Sequence, residues 1–206
     1  MENERIPLFP LNMVLFPGQT VPLHIFERRY RLMTQQCIEA NSPFGMLFVH
    51  EGNLARIGCS ARITKIVKAY EDGRSDILIE GQRAFRLIRT HEDQPYFEAD
   101  VEYLEEDLVG IDAEVTAQLL DLFAQCYRMV FDGSEPPQTD GSSLPLAYRI
   151  ASELPVDNLF RQRLLDLRSE AERQELLLKR LAEWYPQLQA RENVRGKAAG
   201  NGHSKL

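Results

Sequence analysis

Ile6-Pro7-Leu8-Phe9-Pro10-Leu11-Asn12-Met13-Val14-Leu15-Phe16-Pro17-Gly18-Gln19-Thr20-Val21-Pro22-Leu23-His24-Ile25-Phe26-Glu27 is the stretch that decides the fold class of this chain. Apolar β-formers alternate in it with four prolines. Proline cannot donate to a strand ladder, so the run predicts short, bent or edge strand pieces rather than one regular strand. Pro17-Gly18 marks a turn between two of those pieces. The pattern changes at Glu27-Arg28-Arg29-Tyr30-Arg31-Leu32-Met33, and from Phe26 to Ala40 it places Tyr30, Met33, Cys37 and Ile38 at helical spacing. Asn41-Ser42-Pro43 stops that helix.

Strand signals continue outward from there. Phe44-Gly45-Met46-Leu47-Phe48-Val49 is a short apolar strand. Ala55 to Tyr70 alternates through Ile57, Cys59, Ala61 and Ile63, and Glu71-Asp72-Gly73-Arg74 supplies the positive φ of a hairpin turn. The return strand starts at Ser75-Asp76-Ile77-Leu78-Ile79-Glu80-Gly81 and runs into Ala84-Phe85-Arg86-Leu87-Ile88-Arg89, with Gly81 as a bulge or sharp bend. A last strand alternates from Pro95 to Leu104. Several short, bent strands around one inserted helix predict a small, partly closed barrel over residues 1–107.

From about Asp112 the character is helical. Val115, Leu119, Leu122, Phe123, Cys126, Met129 and Val130 form a one-sided stripe, closed by Asp132-Gly133. Residues 132–143 read as a polar loop. Helical patterns return at Leu146–Leu154 and again after Pro155 through Leu167, with Asp157 as N-cap. Ser169-Glu170-Ala171-Glu172 has capping-box spacing and opens a final helix carrying Leu177, Leu181 and Trp184. Pro186 is expected to end or kink it near Tyr185. The organisation expected is a β-rich part over 1–107, a helical bundle over 112–190 and a flexible polar tail over 191–206.

Composition narrows the function classes. The chain has 206 residues and a formal charge of −7, which disfavours unspecific attraction to phosphate backbones. Cys37, Cys59 and Cys126 are widely spaced and form no CxxC pair, so reduced, buried thiols are expected. Residues 1–7 carry Glu2, Glu4 and Arg5 ahead of a proline-broken apolar run, so no signal peptide is expected. No apolar run nears the ~18 residues of a membrane span. A soluble, cytoplasmic protein follows. There is no HExxH or comparable ligand spacing, so no metal site is expected. His24 has nothing nearby in sequence to complete a triad and reads as a packed histidine. Arg83, Arg86 and Arg89 fall on alternating strand faces and read as solvated charge.

In order and spacing, Pro17-Gly18, Pro22-Leu23-His24-Ile25-Phe26-Glu27 and Arg29-Tyr30-Arg31 resemble the signature of the Lon N-terminal domain, the substrate-binding region of the ATP-dependent Lon proteases. Gly58-Cys59-Ser60-Ala61-Arg62-Ile63, Asp72-Gly73-Arg74-Ser75-Asp76-Ile77 and Gly81-Gln82-Arg83-Ala84-Phe85-Arg86 are similar to its later strand motifs. Ala151-Ser152-Glu153-Leu154-Pro155, Arg161-Gln162-Arg163-Leu164-Leu165-Asp166 and Glu172-Arg173 match its helical half, so the likeness covers roughly residues 6–185. Arg28 departs from the pattern, standing where the family commonly has proline.

The resemblance implies an α+β fold: a six-stranded PUA-like pseudo-barrel with one helix, followed by an α-helical bundle. It also implies recognition of unfolded or damaged polypeptides. There is no GxxxxGK[ST] phosphate loop and no protease segment with a Ser-Lys dyad, so the chain looks like a free-standing, bacterial-type substrate-binding domain without ATPase or protease parts. The expected function is non-enzymatic binding of unfolded or hydrophobic polypeptide segments in protein quality control. A protease or chaperone is the downstream partner, and no nucleic acid, membrane, cofactor or catalytic residue is involved. The candidate peptide-binding residues are Phe26, Glu27, Arg29 and Tyr30, at the rim of a groove. Two physical modes suit such binding: strand addition at an open sheet edge near residues 7–22, or an apolar cleft between the barrel and the bundle. A cryptic hydrolase built on His24 and an RNA-binding PUA-like module are the alternative functions.

Overall fold

The computed structural model describes residues 4–137 and 144–200. Its elements run β1 (Glu4–Leu11), β2 (Thr20–Ile25), α1 (Arg28–Ala40), β3 (Phe44–His50), β4 (Asn53–Leu54), β5 (Ile57–Ala69), β6 (Ser75–His91), β7 (Glu98–Tyr103), α2 (Ala113–Val130), α3 (Leu146–Glu153), α4 (Asn158–Asp166) and α5 (Glu170–Gly200). The fold is α+β, with a mostly antiparallel sheet ordered β1-β7-β6-β5-β3-β4 and with β2 paired to β6.

β1 accommodates its prolines by changing partners halfway. Glu4–Pro7 pairs antiparallel with β7, and Leu8–Leu11 pairs parallel with β3. Each half is thus bonded in one direction only, which is where a residue without an N–H can sit. The additional β1–β3 pairing links the first strand of that order to its last but one, so the pairings β1-β7-β6-β5-β3 return to β1. Alternation along the strands sends neighbouring apolar residues into different clusters. Ile6, Leu8, Leu47, Phe85, Ala99 and Val101 form one. Phe9, Met46, Ile77, Ile79 and the buried face of α1 (Tyr30, Met33 and Cys37) belong to another.

Two turns position the surface discussed below. Gly73 (φ 83°) closes the β5–β6 hairpin, with Tyr70 N–H donating to the Arg74 carbonyl at 2.9 Å. At Gly81 the Phe16–Gln19 turn comes so close that a Cβ would stand 2.1 Å from the Phe16 carbonyl oxygen. Gly81 instead exchanges backbone hydrogen bonds with Gly18 and Gln19 at 2.8 and 2.9 Å. The register between β5 and β6 slips at this point, between Cys59 and Ala61.

The chain divides into two compact units. The first takes the residues through Glu106 together with Val156–Arg168; the second takes Asp107–Pro155 and the chain from Ser169. α4 therefore counts with the β-rich unit, although its sequence reads as part of one helical stretch. Within the first unit the buried Arg161 guanidinium donates to the Val14 carbonyl (3.1 Å) and Gln19 Oε1 (2.7 Å) and lies 4.4 Å from the Phe16 ring centre. Burial lowers its pKa to about 10. The Asp157 carboxylate accepts from Phe160 N–H at 2.9 Å, the N-cap expected from sequence.

In the second unit α5 packs on α2 and α3. A buried polar knot joins the three helices. Arg173 donates to Glu170 (2.9 Å) and to the Tyr148 hydroxyl (2.7 Å). Glu170 also accepts from Ala147 N–H (2.9 Å) and the Gln174 amide (3.0 Å). Gln174 in turn accepts from the Thr116 hydroxyl at 2.7 Å.

Three local expectations are corrected. Ile38 shares the helical spacing of Tyr30, Met33 and Cys37 but is exposed, and Thr34 takes the buried position instead. α5 does not end at Tyr185, because the helix continues through Pro186 to Gly200. Residues 191–200 of the expected tail are accordingly helical. The second half of the polar loop, residues 138–143, and the chain end, residues 201–206, lie outside the described residues.

Candidate functional site

β2 ends at the buried Ile25 and α1 begins at Arg28, which leaves Phe26 and Glu27 on the two-residue link between them. Phe26 stands out from this link, 59% exposed. Its ring stacks on His24 at 6.0 Å between centres and 19° between planes. His24 is fixed in turn, with Nδ1 2.6 Å from Asp76 Oδ1, and the other Asp76 oxygen accepts from the Tyr70 hydroxyl at 2.7 Å. Hydrogen bonds from His24 and Tyr70 hold the Asp76 carboxyl below its ordinary range, and the same carboxylate pushes the Tyr70 phenol up. Lys68 and Arg74 lie over the Tyr70 ring at 4.5 and 5.2 Å. Arg31 of α1 reaches across to the Asp72 carbonyl in the hairpin turn. The result is a continuous polar–aromatic surface that runs from the start of α1 over the end of β2 to the β5–β6 turn.

Of the four residues that sequence singles out, three are on this surface. Glu27 is the N-cap residue of α1, yet its side chain caps no helix amide. Its carboxylate accepts from Arg29 Nε at 3.0 Å instead, so Arg29 pairs with Glu27. The Arg29 guanidinium lies 4.6 Å from the Tyr30 ring centre. Tyr30 itself is buried and meets the Phe9 ring at 4.2 Å, so it supports the surface from beneath. Burial raises its phenol pKa. His24, Tyr70 and Asp76 were not expected here. Asp76 is 52 positions from His24, and only the β2–β6 register, which sets His24 opposite Asp76, brings the two together.

The described contacts of the His24 ring are to Asp76, Phe26 and Tyr70; no serine or cysteine is among them. Among the described residues, the contacts of this histidine supply a carboxylate partner, Asp76, and two aromatic rings. The three cysteines are free and buried. Among the described residues no cluster of His, Cys, Asp and Glu could hold a metal ion, and no helix is long and apolar enough to cross a membrane.

The first unit also carries a cleft of about 280 Å³ between the end of α1 and β5. A wider groove of about 940 Å³ lies within the second unit, where Met129 and Val130 of α2 face Trp184, Leu188 and Val194 of α5.

A family model, the ATP-dependent protease La (LON) substrate-binding domain, matches residues 5–183. The crystal structure of a Lon N-terminal domain protein from Xanthomonas campestris is similar in fold, with a TM-score of 0.69 and 29% identity over 85% of this chain and 98% of that one. The N-terminal domain of Mycobacterium avium complex Lon protease shares the fold at 16% identity, with a TM-score of 0.64 over 87% of this chain and 98% of its own. Lon protease 2 of Syntrophobacter fumaroxidans is 26% identical over 179 residues, 80% of this chain and 22% of that protein. For Lon protease 2 of Herpetosiphon aurantiacus the identity is 27% over 194 residues, again 22% of the relative's length. The chain thus spans about a fifth of these longer relatives.

Proposed function

We propose, from the premise that this chain belongs to the LON substrate-binding domain family, that it binds unfolded polypeptides through exposed hydrophobic segments and serves protein quality control. The returning sheet is read as the family's six-stranded PUA-like pseudo-barrel, and α2, α3 and α5 as its helical bundle. The bound segments pass to a protease or chaperone in a bacterial cytoplasm. None of this requires chemistry from the chain itself.

The observation that carries the reading is Phe26. A phenylalanine ring 59% exposed on a two-residue link holds apolar area in water that a partner can bury. Here it is held outward by stacking on a histidine that is itself pinned by Asp76. Glu27 and Arg29 beside it neutralise one another and leave the ring as the apolar feature of a polar rim. An exposed, pre-positioned aromatic anchor inside a polar ring is the arrangement that concentrates binding energy at protein interfaces. Tyr30 acts from beneath as support for Arg29.

The test is fluorescence anisotropy with a labelled, permanently unfolded protein, using its folded form as control. Micromolar or tighter binding of the unfolded form alone is expected. Phe26→Ala should weaken it about tenfold, equivalent to ~1.4 kcal/mol. Equal affinity for both forms, or binding to neither, would sink the proposal.

A further inference from the structure

Among the described residues, the outer half of β5 is a strand edge with no second strand beside it. β5 pairs with β3 only through Cys59, Ser60 and Ala61, whereas its ladder to β6 continues to Ala69. Among the described residues, Arg62–Ala69 therefore has a strand on one side only. Every side chain from Thr64 to Ala69 is exposed, Ile66 (49%) and Val67 (55%) included. Successive strand residues face opposite sides, so this segment is bare on both faces as well as along its edge.

The cleft beside α1 opens onto that edge. It is lined by Cys37, Ile38, Asn41 and Ser42 and by the five consecutive residues Arg62 to Ile66. One face of a strand presents every second residue, so a cleft that touches five in a row reaches the backbone itself. Its apolar lining is Cys37, Ile38, Ile63 and Ile66, and its charges are Arg62 and Lys65, with no acid among the described lining residues. On β6, Arg62 stands opposite Glu80 and Lys68 opposite Asp76, but Lys65 stands opposite Leu78 and has no acid directly across from it.

We infer that this edge takes up an extended polypeptide segment as an added strand, one in which acidic and apolar residues alternate, with an apolar side chain seated in the cleft beside α1. The inference rests on the polypeptide-binding reading above and names the class of segment bound. Main-chain hydrogen bonds along an open edge are indifferent to sequence, while a lateral pocket and flanking charges supply selectivity. The same charges disfavour a second copy of this chain as the occupant, because paired edges would set lysine near lysine. Register slips between Ile63 and Lys65 and between Ile66 and Lys68 twist the edge and further hinder its pairing with an identical one. A carboxylate placed opposite Lys65 completes a cross-strand pair that β6 leaves open.

The test uses the full chain and the variant Lys65→Glu, a substitution at an exposed position away from the Tyr70–Asp76 contacts. The probes are labelled peptides of about ten residues that alternate valine with glutamate or valine with lysine, and a glutamate peptide N-methylated at alternate amides. The unfolded protein is titrated in parallel. The wild-type chain should bind the glutamate peptide roughly tenfold or more tightly than the lysine peptide, and the variant should reverse that order. N-methylation should weaken binding by a similar factor with the charge unchanged.

If the unfolded protein binds wild type and variant alike and the peptides are not distinguished, the edge is not the site, although the general binding reading survives. Failure of the unfolded protein to bind either chain removes both. Displacement of the glutamate peptide by a single-stranded oligonucleotide of equal charge, as effectively as by unlabelled peptide, would show that charge alone is read and would overturn the strand-addition inference.

Discussion

Asp76 serves two partners, His24 on one oxygen and Tyr70 on the other, and both hold its carboxyl below the usual range. Asp72 and Asp93 are held low as well, the first chiefly by the Arg74 backbone N–H and the second by the Arg5 side chain. For a carboxyl whose folded pKa is depressed, the unfolded chain binds the extra proton. The stability such a group gives is present above its ordinary value, about 4, and is lost as pH falls through the folded value. Asp166 works in the opposite sense, because burial raises its pKa. Asp76→Asn should therefore lower the melting temperature near neutrality and flatten its fall below about pH 4, so that variant and wild type converge in acid. A carboxyl chemical-shift titration that puts Asp76 at its ordinary value would contradict this. The thiols give a second check. Burial pushes the Cys126 thiol up to about 11 and raises those of Cys59 and Cys37. With so little thiolate, a thiol reagent at pH 8 should leave the native chain unmodified and label all three cysteines in denaturant. Position along the chain shows that Glu27 opens a helix and that the cysteines form no CxxC pair. It cannot show that His24 meets Asp76, since that contact depends on a strand register between distant segments.

The hairpin β5–β6 and the helices α2, α3 and α4 were legible as elements because local signals mark them: Asp72-Gly73 for the turn, Asp157 for a cap, a one-sided stripe for α2. What a strand pairs with is not local. The prolines near residues 7–22 suggested an open edge there, and each half of the strand that holds Pro7 and Pro10 has a partner on one side only. Among the described residues β2, with Pro22, pairs only with β6, and the outer half of β5, which contains no proline, is one-sided too. α5 departs further from local rules. Pro186 is exposed inside it, where proline costs about 3 kcal/mol relative to alanine. Pro186→Ala should accordingly stabilise the chain by roughly 1–3 kcal/mol and raise its helical ellipticity. Unchanged values would mean that the helix breaks at this residue. The first turn of α5 holds the opposite sensitivity. Glu170→Ala takes the carboxylate from the fully buried Arg173 and the acceptor from Ala147 N–H, so a loss of about 3–5 kcal/mol in denaturant unfolding is expected. Capping-box spacing located this helix start, but nothing local distinguishes Glu170 as buried from Glu172 as exposed.

Over the whole molecule, the chain crosses between its two units three times, after Glu106, Pro155 and Arg168. Sequence periodicity separates β from α but assigns a helix to no particular unit, so α4 falls naturally into the helical part when read along the chain. A fragment ending at residue 107 would respect the composition boundary and omit α4. It would lose the bonds from Arg161 to Val14 and Gln19 and the burial of Phe160, Leu164 and Leu165. Three such side chains contribute about 1.5–3 kcal/mol each, comparable with the 5–15 kcal/mol that stabilises a typical domain. The fragment should melt without a cooperative transition, while the full chain melts sharply; a cooperative fragment of equal stability would show α4 to be dispensable. The interleaving also sets a timetable on the ribosome. The strands of the first unit emerge with Glu106, but the helix that completes it follows roughly 60 residues later. At about 5–20 residues per second the nascent sheet waits several seconds for its last piece. During that pause neighbouring nascent chains can meet its bare edges, and the lysines and register slips of β5 keep translating copies from sticking to one another.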